Sequence, residues 1–155
     1  MKRAEIVLLS IFSLLWICKV FFGIKLGVSP LLTITGMTLS TFYCYFTFLL
    51  LNDIKLRRVF KKDSYAHTSA LRIIVSIFMG ISYGIFWIAV VFKTLHWPGA
   101  KVMMILPAIP LLIGLCISLF KLRSAIDARR SFYNKVAIRN VVLLVLILLS
   151  LTIRF

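Results

Sequence analysis

Acidic residues are almost missing from this chain: Glu5, Asp53, Asp63 and Asp127 are the only four, against nineteen lysines and arginines. So few carboxylates leave no sequence-close pair for general acid–base work and no cluster for a hard cation. The three cysteines, Cys18, Cys44 and Cys116, stand singly in separate apolar runs, without CxxC or ligand spacing. They read as small buried hydrophobes, not as a metal site or redox pair. HExxH, GxSxG and phosphate-loop motifs are all lacking. Of the two histidines, His67 lies in the polar stretch Asp63–Ser69 and reads as a solvated loop residue. Nothing here builds an enzyme or calls for a cofactor.

What the chain has is apolar length. It is 62% hydrophobic with a mean hydropathy of +1.06, where a soluble domain is about 45–50% apolar. The net charge of +15 does not imply nucleic acid, because the basic residues cluster between apolar runs instead of covering one polar face. The expected fold is an all-α membrane protein, a single transmembrane domain over residues 1–155. A span needs about 20 residues. Ile6–Ile24, Leu31–Leu51, Ile73–Phe92 and Val102–Phe120 qualify, the first with Lys19 snorkelling at its end. Met1-Lys2-Arg3 before an apolar run resembles a signal peptide, but the run is long and no A-x-A site follows, so the helix reads as retained. A thirteen-residue run, Val141–Ile153, is short for a span. It has no polar face, so it reads as a fifth crossing within 136–155 rather than a surface helix.

The layout is therefore two tandem hairpins, 6–52 and 73–120, plus a C-terminal helix, 136–155, with basic loops at 53–72 and 121–139. Those loops and the N-terminus hold fourteen basic residues, and the opposite side five. This asymmetry puts the loops and the N-terminus in the cytoplasm. The loops are expected to attract anionic lipid. Trp16-Ile17-Cys18-Lys19-Val20-Phe21 matches Trp87-Ile88-Ala89-Val90-Val91-Phe92 at four positions of six, which suggests a duplicated hairpin.

Four features draw a functional reading. Lys93 and His96 are three apart and share a helix face if the third helix extends that far, forming a polar outer site. The simpler reading makes Phe92–Ala100 a membrane-surface turn, with Trp97 as anchor, Pro98 ending the helix and Gly99 reversing the chain. Ser76, Gly80 and Gly84 line a small-residue face for helix packing, within the chain or between copies. Pro107 and Pro110 kink the fourth span. Phe42, Tyr43, Tyr45, Phe46 and Phe48 surround the second span as packing and lipid-facing mass.

The string formed by Phe92, Lys93, His96, Trp97, Pro98, Gly99 and Ala100, FK-x-x-HWPGA, resembles the hairpin of GldL. That is the inner-membrane L subunit of the gliding-motility and type IX secretion motor of Bacteroidota. The resemblance covers residues 73–120 and implies a subunit of a membrane assembly. Motor subunits of that kind are expected to carry a membrane-embedded carboxylate. Here the four spans hold none, with Glu5 placed ahead of the first. The expected function is a non-enzymatic membrane component that packs with itself or with a membrane-protein partner. The alternative is a small transporter or channel gated by Lys93, His96 and the kinked helix.

Overall fold

A computed structural model describes residues 1–22, 27–59, 68–124 and 127–152. The described residues are all-helical: α1 (Lys2–Phe21), α2 (Val28–Leu51), α3 (Ala70–Thr94), α4 (Ala100–Ile105), α5 (Ala108–Ser124) and α6 (Asp127–Thr152), with a short 3₁₀ turn at Leu56–Arg58. Counting α4 and α5 as one broken crossing, five helices are long and apolar enough to cross a membrane. This is a multi-pass membrane protein. The last crossing is longer than its thirteen-residue run suggests, because α6 continues back past Asn140 and Arg139 and the candidate span begins at Arg130. Much of the expected basic loop 121–139 is accordingly helix, since α5 runs to Ser124 and α6 begins at Asp127. His67, Phe60, Lys61, Lys62, Asp63, Lys25 and Arg154 lie outside the described residues.

The central helix is α3, which touches α1, α2, α4 and α5, while α6 packs mainly on α5. The tightest seam is α2 against α3, and small residues make it. A Cβ on Gly80 would sit 3.0 Å from the Tyr43 carbonyl, and one on Gly84 would sit 2.6 Å from Cys44 Sγ and 3.0 Å from the Ser40 carbonyl. Ser76 is fully buried in the same face. The small-residue stripe is therefore used inside the chain, against α2.

Helix α2 carries hydroxyls on lipid-exposed positions. Thr38 and Thr41 donate to the carbonyls of Ile34 and Met37, one turn back, so neither leaves an unpaired polar group in hydrocarbon. Its aromatics divide as the sequence suggests: Tyr43 is buried and Tyr45 faces outward. The cysteines do not follow expectation. Cys44 and Cys116 lie on the outer surface and Cys18 is half-buried, because in a bilayer a thiol needs no protein cover to escape water.

The two prolines of the fourth crossing act differently. Pro107 is buried in the break between α4 and α5, where its missing N–H and its ring end the first segment. Leu111 N–H then donates to the Pro107 carbonyl at 3.1 Å and opens the next. Pro110 is the third residue of α5. A first-turn N–H has no intrahelical partner in any case, so this proline adds no kink of its own.

Candidate functional site

Helix α1 begins at Lys2, so Glu5 lies in its first turn, and only 7% of the residue is exposed. The expectation that the crossing helices carry no acid is thus corrected. Charge on this side chain needs a partner, and α6 supplies one. Arg139 faces Glu5 with both terminal nitrogens, Nη1 at 2.8 Å from Oε1 and Nη2 at 3.1 Å from Oε2. This two-pronged geometry is the strongest form of carboxylate pairing. The Tyr43 hydroxyl of α2 donates to Oε1 at 2.9 Å. One carboxylate therefore ties α1, α2 and α6 together.

The next residue continues the network. Asn140 is wholly buried. Its Oδ1 accepts from the Tyr83 hydroxyl of α3 at 2.8 Å, and its Nδ2 donates to the Leu111 carbonyl of α5 at 3.0 Å and approaches Met79 Sδ at 3.3 Å. Room for this comes from Gly114, where a Cβ would lie within 2.8 Å of both Met79 and the Asn140 amide. The two parts join through rings: Tyr43 meets Tyr83 edge-on at 5.9 Å and stacks on Trp87 at 6.2 Å. Every crossing helix contributes to this polar core.

A second ionic cluster sits at the end of α2. Asp53 pairs with Lys135 of α6 and with Lys2 of α1, the latter at 3.5 Å. Partial burial acts to raise the Asp53 pKa, but the hydrogen bond and charge of Lys135, with Lys2 beside it, outweigh that and hold it below the ordinary value. Asp53 also ends α2: it takes a left-handed φ of 54°, and Ile54 N–H returns to the Leu49 carbonyl at 3.0 Å.

The turn at Phe92–Ala100 is built the same way. Helix α3 stops at Thr94, and His96 adopts φ 55°. His96 N–H bonds the Lys93 carbonyl at 3.1 Å and Trp97 N–H bonds the Phe92 carbonyl at 2.9 Å. This is a Schellman termination with histidine in the place glycine usually fills. Its apolar clasp is the edge-on contact of Phe92 with Trp97 at 4.9 Å. Pro98 follows, and Gly99, at φ 82°, caps α4. The motif thus works as a helix stop and restart. Lys93 and His96 do not share a helical face, because the helix ends between them and His96 is exposed.

Lys93 instead lines a groove of about 320 Å³ between α1 and α6, floored by Phe86, Trp87 and Val90 of α3. The Trp16 indole N–H donates to Thr94 Oγ1 at 3.0 Å across its end. Pro107 and Pro110 take no part in lining it. Trp16 and Trp87, the anchors of the internal sequence echo, both do.

Sequence reading missed Glu5, Tyr43, Tyr83, Arg139 and Asn140 as a unit. Its one available signal was the placing of Glu5 and Arg139-Asn140 at the margins of apolar runs, where an ionisable residue in or near a crossing marks a paired site. No protein-family model, curated protein or solved structure matches this chain.

Proposed function

We propose that the protein is a non-enzymatic structural or accessory subunit of a bacterial inner-membrane assembly, with its N-terminus in the cytoplasm. The observation that carries this reading is the polar core. Glu5, Arg139, Tyr43, Tyr83 and Asn140 are each bonded to another helix, so the buried polarity serves to fasten the helices and not to meet a substrate. A bundle closed in this way offers a rigid apolar flank to a second copy or to another membrane protein. The GldL-like string at Phe92–Ala100 points to the same kind of assembly and to Bacteroidota. The charge asymmetry supports the orientation.

Crosslinking in native membranes, followed by identification of what co-purifies, tests the assembly. A stable partner or oligomer is the expected result, and a clean monomer rejects it. A cysteine introduced at Arg57 should react only from the cytoplasmic side, and labelling from outside would overturn the orientation.

A small transporter or channel is the second reading, favoured by Lys93 at the groove. It requires liposome flux that falls in Lys93→Ala, and an unchanged flux removes it.

A further inference from the structure

We infer that the groove between α1 and α6 is a binding site for one acyl chain of an anionic phospholipid, with the lipid phosphate held at the Lys93 end. The groove has a polarity gradient. Along α3 it extends from Phe86 to Lys93 and Thr94, about 10 Å of helix at 1.5 Å per residue. Its inner end is mainly aromatic, with Phe12 set edge-on to Trp87 at 5.1 Å and Ser13 as its one hydroxyl. Its other end gathers Lys93, Thr94 and Ser150. An amphiphile matches this order, with its tail inward and its head at the rim.

The groove lies between crossing helices, where the hydrocarbon chains of the bilayer face the protein. Charge then selects the head. Lys93 is the charged residue among those lining the groove, and a cation there favours an anionic head over a neutral one. The site is separate from the basic loops at the other end of the helices.

Trp16 and Trp87 line the groove, so the protein reports its own occupancy once Trp97, the third tryptophan, is replaced in Trp97→Phe. The test uses that protein in phosphatidylcholine vesicles containing lipid brominated on its acyl chain. Brominated phosphatidylglycerol should quench about fivefold more effectively than brominated phosphatidylcholine, the preference one lysine near a surface gives. Lys93→Gln, a rim change that leaves the packing intact, should bring the two lipids level. Val90→Phe, which fills the floor, should weaken quenching by both.

Equal quenching by the two lipids without Lys93→Gln overturns the inference, as does a preference that survives Lys93→Gln. Weak quenching by either lipid that rises as the protein is diluted, with crosslinked dimers present, assigns the groove to a second copy and likewise overturns it. If Val90→Phe fails to fold by circular dichroism, Lys93→Gln alone decides.

Discussion

Replacing Arg139 by methionine isolates the value of the buried ion pair. The change removes both guanidinium bonds to Glu5 and leaves a carboxylate, in a residue 7% exposed, facing only the Tyr43 hydroxyl. Removing one partner of a buried pair costs about 3–5 kcal/mol. The Arg139 side chain is 30% exposed, which puts the expected cost of Arg139→Met at the lower end, about 3 kcal/mol. Glu5→Met should cost less, about 2 kcal/mol, because a partly exposed arginine can extend toward water. The double variant leaves no stranded charge. Its cost should be mainly that of the Tyr43 hydroxyl deprived of its acceptor, about 2 kcal/mol. The singles then sum to well above the double, with a coupling of about 3 kcal/mol. Reversible unfolding in mixed micelles of increasing denaturing detergent, followed by helical circular dichroism, measures all four proteins. An Arg139→Met cost under about 1 kcal/mol, or additivity within about 0.5 kcal/mol, would refute the view that this pair closes the bundle.

Three further expectations follow from other parts of the structure. Gly84→Ala pushes a methyl to 2.6 Å from Cys44 Sγ and 3.0 Å from the Ser40 carbonyl and should lower stability by about 1–3 kcal/mol in the same assay; an unchanged midpoint would mean that α2 and α3 do not meet there. His96→Gly should leave the protein as stable or better by up to about 1 kcal/mol, because a left-handed backbone costs glycine little, whereas His96→Val should destabilise it. The depressed Asp53 pKa contributes stability above the unfolded-state pKa that is lost as pH falls through the folded value. At this half-exposed site the loss should be under about 1 kcal/mol, and it should vanish from the acid limb of the stability profile in Asp53→Asn.

The helices were legible because a bilayer imposes length and apolarity on every crossing, and both are local properties of sequence. Errors arose where a neighbouring helix changes what a residue experiences. Arg139-Asn140 falls both within the expected C-terminal helix, 136–155, and at the end of the expected basic loop, 121–139, since arginine and asparagine are costly in hydrocarbon. In the structure both lie inside α6, because Glu5 neutralises one and Tyr83 with the Leu111 carbonyl satisfies the other. The same applies to Pro107 and Pro110, identical in sequence logic and separated only by where the helix restarts.

The turn at Phe92–Ala100 shows the converse failure. Phe92, Lys93, His96 and Trp97 form a distinctive string, and distinctiveness invites a functional site. The backbone accounts for three of the four: His96 supplies the left-handed residue, and Phe92 and Trp97 supply both the closing backbone hydrogen bond and the ring clasp of one helix termination. Asp53 performs the same duty at the end of α2 without any memorable string around it. Only Lys93 is left for a role beyond the turn, and it faces the groove. The candidate chemistry of this protein therefore rests on residues 134 positions apart, Glu5 and Arg139, and on one lysine whose neighbours in sequence serve another purpose. Pairing across such a separation leaves no periodicity or spacing in the chain, so only the packed bundle brings it into view.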